Sequence, residues 1–208
     1  MSTWTITPDK FLTPKELKAL RQVIHADALL AKSRGRQIGY RDMVIIELSV
    51  STGLRVGEIS KLHVDDLQLT RKSSSLIVRS GKGGKTRTVQ FGSGLRKILR
   101  EYLDYRSPAS DFVFRSERQD QMTTNAIQKV FKKKAKKAGL PKRYSIHALR
   151  HTFCTMIYKA SGYNLRMVSQ MAGHASQNTS ALYAAVLSPD VEKAVEKLES
   201  QEFLDSLL

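Results

Sequence analysis

The sequence predicts a mainly helical α+β domain with one small antiparallel sheet. Apolar residues recur at helical spacing through most of the chain, whereas residues 75–78 and 86–91 have the composition and alternation of strands. A glycine-rich stretch, residues 81–85, separates these two segments, and such a link is typical of a β-hairpin. The length of 208 residues suits one domain, and a hydrophobic content of 41% is enough to form a core.

The first predicted helix begins at a capping motif. Residues 1–10 have no periodic pattern and are interpreted as a loose leader. Thr13 has the residue type of an N-cap, Pro14 suits the first helical position, and Glu16 completes a capping box. Apolar residues at helical spacing follow, so a helix is expected to start at Pro14.

A buried helix and a short helix are predicted next. Residues 40–51 are mostly apolar, which is typical of a buried helix. Gly53 is expected to end this helix, and another is expected to start in residues 56–62. The remaining predicted elements are a strand at 112–114 and helices at 94–105, 124–138, 146–160, 165–172, 179–186 and 191–198.

The charge of the chain favours a nucleic-acid partner. The net charge is +16 and the pI is about 10.1, which indicates a polyanionic partner or, alternatively, a basic protein whose charge serves solubility or RNA packing. Residues 189–208 carry −4, so residues 1–188 carry +20, and the acidic tail is expected to stay off DNA. Cys154 is the only cysteine, which excludes an intrachain disulfide and a cysteine-based zinc site. With neither a signal-peptide pattern nor an apolar run of about 18 residues, a cytoplasmic, DNA-associated protein is expected.

Six residues in separate segments have side chains suited to phosphoryl transfer. They are Arg55, Lys82, His147, Arg150, His174 and Tyr183. Arginine forks match phosphate oxygens and remain charged, and His147 and Arg150 share one helical face because they are three residues apart. Taken singly, each tyrosine or histidine is better explained as an ordinary packed residue.

A distinct role is expected for each of the other residues in this set. Tyr183 is the candidate nucleophile, and His147 is a candidate base for its proton. His174 could donate to a non-bridging oxygen, and Lys82, at the hairpin tip, could protonate the departing oxygen. Since the chain has no carboxylate cluster, the arginines, lysine and histidines would replace a metal clamp, and no cofactor is expected.

Three competing motifs are rejected. Residues 84–86 resemble the end of a phosphate-binding nucleotide loop, but Arg79 stands where that motif requires glycine, and a strand pattern follows. His147 and His151 have the spacing of some zinc ligands, but no Glu follows His147 and no nearby carboxylate or cysteine pair completes the set. The adjacent acids Asp65 and Asp66 are interpreted as a turn or cap rather than a magnesium site.

The order and spacing of the six residues resemble the tyrosine recombinase (phage integrase) family, across residues 11–186. The resemblance implies that residues 1–188 are a catalytic domain that cleaves and rejoins DNA at specific sites through a 3′-phosphotyrosine, without ATP. It also implies duplex DNA and further protomers, in a tetrameric synapse, as partners. Family members usually carry a separate helical core-binding domain, for which the front of this sequence is too short. The chain would therefore be an excised catalytic fragment or a single-domain member similar to the fimbrial phase-variation invertases.

Several functional alternatives and secondary sites remain open. A type IB topoisomerase-like relaxing enzyme and a non-catalytic DNA-binding regulator are the rival functions. Lys85 and Arg87 of the hairpin, with Lys133 and Lys137 of a lysine-rich helix, are candidate DNA contacts, although a solvated face explains such a run equally well. The tail, 189–208, has apolar residues at helical spacing and is expected to pack either on its own protomer or, as the resemblance implies, on a neighbour.

Overall fold

A computed structural model describes residues 8–79, 86–106, 110–116 and 120–173. The predictions for Lys82, Lys85, His174, Tyr183 and the segment 179–208 lie outside the described residues, as do those for residues 1–7 and for the turn that joins the two hairpin strands. Residues 8–10, which were expected to belong to a loose leader, form one 3₁₀ turn.

The described residues confirm a mainly helical fold with a small antiparallel sheet. The strands are β1 (Leu67–Leu69), β2 (Ser74–Val78) and β3 (Arg87–Gln90), and they pair antiparallel in the order β1-β2-β3. In this register Leu76 of the central strand lies opposite Leu67 and Val89. The helices are α1 (Pro14–Ser33), α2 (Gln37–Thr52), α3 (Val56–Ser60), α4 (Ser93–Tyr105), α5 (Thr124–Lys137), α6 (His147–Ala160) and α7 (Leu165–Ala172).

The predicted capping box at the start of α1 is confirmed. The Thr13 hydroxyl accepts a hydrogen bond from the Glu16 amide at 3.2 Å, and the Glu16 carboxylate accepts one from the Thr13 amide at 2.8 Å. Two otherwise unpaired backbone donors are thereby satisfied. Pro14 occupies the first helical position, where its missing N–H costs nothing.

Helix α2 lies at the centre of the fold, as its apolar sequence predicts. It packs against α1, α4, α5 and α6, and the side chains of residues 44–46 and 48 are fully buried. Each buried aliphatic side chain stabilises the fold by about 1.5–3 kcal/mol. Because α2 ends next to the first turn of α6, this rigid centre also supports the site described below.

The structure departs from the sequence-based prediction at three places. The strand predicted at 112–114 is wrong, because Phe112 makes only a single antiparallel bridge to His63 while Val113 and Phe114 are core residues. The helix expected in 56–62 ends at Ser60. Strand β1 was not predicted, since three residues carry no periodic signal and pair only because β2 lies beside them. Among the described helices, none combines the length and apolarity needed to cross a bilayer.

Candidate active site

Three helix ends converge on one small region of the structure. Gly53 ends α2 in the left-handed conformation, with φ of 62°, and lets the chain turn into α3, which Arg55 precedes as N-cap. Helix α6 begins at His147 and carries Arg150 one turn later. Helix α7 ends at Gly173, also left-handed with φ of 63°. Glycine suits both positions because a Cβ disfavours positive φ.

Arg150 ties two of these ends together. Its side chain donates from Nη1 to the carbonyl of Gly53 and from Nη2 to the carbonyl of Ala172, the latter at 2.8 Å. The residue is only 7% exposed. Helix C-termini carry partial negative charge on unpaired carbonyls, so a buried guanidinium is a favourable partner for both.

Arg55 is held in a similar way but remains more open to solvent. Its Nη2 donates to the carbonyl of Gly173 at 3.1 Å, and its Nη1 pairs with Glu58 at 3.0 Å. Its side chain is 30% exposed, which leaves part of the guanidinium accessible to a phosphate. The two arginines that the sequence singled out therefore meet at the end of α7, although they are 95 residues apart in the chain.

Glu58 is a part of the site that the sequence reasoning missed. It stands at the third position of α3, where its carboxylate accepts the Arg55 amide at 2.8 Å and also pairs with the Arg55 side chain. Burial acts to raise the pKa of Glu58, but hydrogen bonds and positive charge from Arg87 and Arg55 lower it below its usual range. The available signal was a Glu three residues after an N-cap position.

Arg87, predicted as a DNA contact, forms an internal ion pair. Its Nη1 and Nη2 bind the two oxygens of Glu58 at 2.8 and 2.9 Å, and its side chain is 15% exposed. Bidentate pairs of this kind are among the stronger polar contacts in proteins. The DNA contact remains a prediction, but both terminal nitrogens of Arg87 already have partners.

His147 lies on the same side as the two arginines. Desolvation of its ring, together with the positive charges of Arg150 and Arg55, lowers the pKa of His147 below its usual range. At neutral pH the ring is therefore uncharged and able to accept a proton. His151, one turn further along α6, is more strongly affected, since burial and the charge of Arg150 lower its pKa to about 4.

The lysine-rich helix lies away from this convergence point. Lys137 pairs with Asp27 of α1, and the buried Lys134 pairs with Asp27 at 2.8 Å and lies 3.9 Å from Asp42 near the start of α2. From Asp42 to the end of α2 is about 15 Å at the ordinary helical rise. Lys133 is exposed. The structure thus does not bring Lys133 and Lys137 to the arginines, and their DNA contacts remain predictions.

The acid pair behaves as a cap, as expected. Asp66 accepts the amide of His63 at 3.0 Å and pairs with Arg79, while Asp65 and Asp66 form part of a 3₁₀ turn. Within the part of the chain that the structure describes, no three His, Cys, Asp or Glu side chains are grouped as metal ligands.

The sequence is similar to those of known proteins. A sequence model of the phage integrase family matches residues 10–188. The tyrosine recombinase XerA of Pyrococcus furiosus is 31% identical over 201 residues, which span 95% of this chain and 65% of the relative. The tyrosine recombinase XerD of Listeria innocua is 33% identical over 185 residues, which span 84% of this chain and 61% of the relative. The chain thus spans less than two thirds of these relatives.

Solved structures of recombinases have a similar fold. The crystal structure of XerA recombinase has a TM-score of 0.73 at 28% identity, covering 96% of this chain and 65% of that one. XerH site-specific recombinase bound to its difH substrate in a pre-cleavage complex has a TM-score of 0.74 at 27% identity, covering 91% and 53%. Sequence match, fold and the convergence of Arg55 and Arg150 agree: this chain belongs to the phage integrase family.

Proposed function

We propose that this chain is the catalytic part of a site-specific tyrosine recombinase, which cleaves and rejoins DNA strands through a 3′-phosphotyrosine. The observation that carries the proposal is the meeting of two guanidinium groups, Arg55 and Arg150, with an uncharged imidazole, His147, at one place. Two arginine forks and a base are what a phosphodiester needs when a side chain attacks it. The tyrosine recombinases XerA and XerD, which match most of the chain, support the same reaction.

The proposed cleavage step begins with Tyr183. Its phenol oxygen attacks the scissile phosphorus, the bond from phosphorus to the 5′ oxygen breaks, and the protein is left joined to the 3′ phosphate. An unassisted phenol with a pKa near 10 costs about 4 kcal/mol to ionise at pH 7. His147 accepts the phenolic proton as the bond to phosphorus forms, so that no free phenolate has to accumulate, and its lowered pKa keeps it in the accepting form.

The arginines and Lys82 act on the other charges of the reaction. Arg55 and Arg150 stabilise the extra negative charge of the pentacoordinate transition state, and loss of one such donor typically costs about 10²–10³-fold in rate. Lys82 gives a proton to the departing 5′ oxygen, and His174 donates to a non-bridging oxygen. A 5′-hydroxyl from a partner strand then attacks the phosphotyrosine, which rejoins the DNA and restores Tyr183. This scheme requires neither metal nor ATP.

Covalent trapping tests the proposal. The chain is incubated with a pool of nicked duplexes of randomised sequence. Cleavage of these duplexes releases a short fragment, so the strand cannot be rejoined and the covalent adduct accumulates. Wild-type protein is expected to form a denaturation-resistant protein–DNA adduct, and sequencing of that adduct identifies the preferred duplex. Tyr183→Phe should bind the same duplex and form none. An adduct from Tyr183→Phe, or none from the wild type across the pool, refutes the assignment.

A plasmid relaxation assay distinguishes a recombinase from a type IB topoisomerase-like enzyme. A type IB topoisomerase-like protein relaxes plasmid lacking the recovered sequence, whereas a recombinase requires paired copies of it. A DNA-binding regulator gives neither product.

We further infer that protomers assemble on DNA through the tail, residues 189–208. A groove of about 800 Å³ runs between α1 and α6. Its apolar lining includes Leu17 and Met156, and Lys18, Arg21 and Lys159 give it a basic character. The tail has complementary chemistry in its sequence, with apolar residues at helical spacing and a net charge of −4. We propose that this groove receives the tail of a neighbouring protomer.

Band-shift assays on paired sites test this assembly. Deleting residues 189–208, or placing a charge in the groove with Met156→Glu, should weaken complexes of several protomers while single-protomer binding stays nearly unchanged. Leu29→Glu alters another exposed apolar residue, outside the groove, and is the matched control. Normal synaptic complexes from both the deletion and Met156→Glu would disprove trans docking. Loss of monomer stability at high dilution instead would show that the tail packs on its own protomer.

A further inference from the structure

Arg87 connects three parts of the candidate active site without belonging to the six residues that the sequence singled out. Arg87 is the first residue of β3, its guanidinium pairs with Glu58 of α3, and its side chain lies against Gly173 at the end of α7. Arg87 can therefore influence the position of the Arg55 side chain through two residues, Glu58 and Gly173.

The first direction runs through Glu58. Each oxygen of this carboxylate is shared, because Oε1 accepts from Nη1 of both Arg55 and Arg87, at 3.0 and 2.8 Å. The other oxygen, Oε2, accepts the Arg55 amide and Nη2 of Arg87, at 2.8 and 2.9 Å. The Glu58 side chain is only 5% exposed, so water cannot replace a lost partner well. Without Arg87, the carboxylate would depend on Arg55 alone.

The second direction runs through Gly173. The carbonyl of this residue accepts the Arg55 Nη2 donor, while its Cα faces the Arg87 side chain. A Cβ added at Gly173 would lie 2.5 Å from Nε of Arg87 and 2.7 Å from both Cδ and Cζ. Arg87 is thus packed directly against the residue whose carbonyl holds Arg55.

We propose that Arg87 is a positioning residue for the reaction: by holding Glu58 and packing against Gly173, it fixes the Arg55 guanidinium for the scissile phosphate. This inference rests on the proposed function. It differs from the expectation that Arg87 contacts DNA, because the terminal nitrogens of the side chain are turned inward to Glu58. Its consequence is that Arg87 governs the rate of cleavage rather than the affinity for DNA.

The test measures adduct formation at saturating concentrations of the nicked duplex recovered by trapping, as a function of pH, beside the Kd for that duplex. Arg87→Met should lower the cleavage rate about 10–100-fold, up to the loss of one transition-state donor. It should also introduce a decline on the acid side that the wild type lacks, because the less well-paired Glu58 takes up a proton more readily. The Kd should change less than about threefold, since the phosphate contacts themselves are retained.

Arg87→Lys separates charge from geometry. Lysine keeps Glu58 ionised but lacks the planar fork, so the acid-side decline should disappear while the rate remains below that of the wild type. Arg41→Met is the matched control, because Arg41 is 14% exposed and pairs with the buried Asp42 elsewhere in the fold. It should lower stability without changing the shape of the pH–rate profile.

A second perturbation reaches the same contact from the other side. Gly173→Ala pushes a Cβ into Arg87 and should also slow cleavage at saturating DNA. Gly35→Ala is its control, since Gly35 has the same φ of 63° and open space around its Cα. If Arg87→Met fails to fold, these two variants still test whether the packing of Arg87 against Gly173 affects cleavage.

Several outcomes would overturn the inference. A weaker Kd with an unchanged saturating rate would make Arg87 a DNA contact. A slower rate with an unchanged pH profile, matched by Arg41→Met, would make it an ordinary stabilising residue. Equal effects of Gly173→Ala and Gly35→Ala would remove the packing argument. Absence of any wild-type adduct would instead refute the proposed function, so the two failures are distinguishable.

Discussion

Substituting alanine for Gly53 should destabilise the protein much more than its size implies. Gly53 has a φ of 62°, where an alanine costs about 1 kcal/mol relative to glycine. An added Cβ would also lie 2.2 Å from Cδ1 of Phe153 and 2.9 Å from Cε1. Phe153 is 3% exposed, so its ring has little room to move away. Overpacking of this kind costs about 1–3 kcal/mol, which gives a total loss of about 2–4 kcal/mol.

Denaturation against a matched variant measures the packing part alone. Gly35→Ala has the same backbone strain, with φ of 63°, but nothing lies within 4 Å of its added Cβ. At about 2–4 °C of Tm per kcal/mol for a domain of this size, Gly35→Ala should lose about 2–4 °C and Gly53→Ala about 4–16 °C. Urea titration should give the same ranking, with similar slopes. Equal losses in the two variants would refute the close packing of Gly53 on Phe153.

Four further results are expected. Arg55→Ala or Arg150→Ala should slow adduct formation by about 10²-fold or more, and wild-type cleavage should persist in chelator; full inhibition by EDTA, reversed by magnesium, would contradict the metal-free scheme. Lys82→Ala should be rescued selectively by a 5′-bridging sulfur, which leaves without a proton; equal slowing on both substrates would deny it the role of acid. The pKa of His151 is lowered to about 4 in the folded protein. As pH drops below about 6.5, the unfolded chain therefore takes up a proton at this residue before the folded protein does. The free energy of unfolding should fall with pH over this range. His151→Gln should remove that slope, worth roughly 3 kcal/mol at most, and an unchanged slope would show another group responsible.

Local signals predicted much of the fold. The capping box at Thr13 and the largely apolar run of α2 involve neighbours in sequence, so short-range chemistry was sufficient to place both helices. Strand β1 and the bridge at Phe112 were not predicted correctly because both depend on a partner segment elsewhere in the chain. Three residues cannot show whether they alternate or simply follow a neighbour.

The candidate site shows the same division. Arg55, His147 and Arg150 were identified by residue type and order, and the structure brings them together. The Arg87–Glu58 pair joins residues 29 positions apart, and no local pattern distinguishes such an arginine from one that faces DNA. Only the folded arrangement shows which way its guanidinium turns.

The capping of α7 by two arginines makes the end of that helix a competitor for phosphate. The carbonyls of Ala172 and Gly173 hold N–H groups of Arg150 and Arg55, the same groups that a phosphodiester would engage. By thermodynamic linkage, any phosphate that withdraws these donors weakens their hold on the end of α7, and a firmer hold on that end weakens phosphate affinity by the same factor. Phosphate occupancy of the arginines and the capping of the α7 C-terminus are therefore two readings of a single equilibrium.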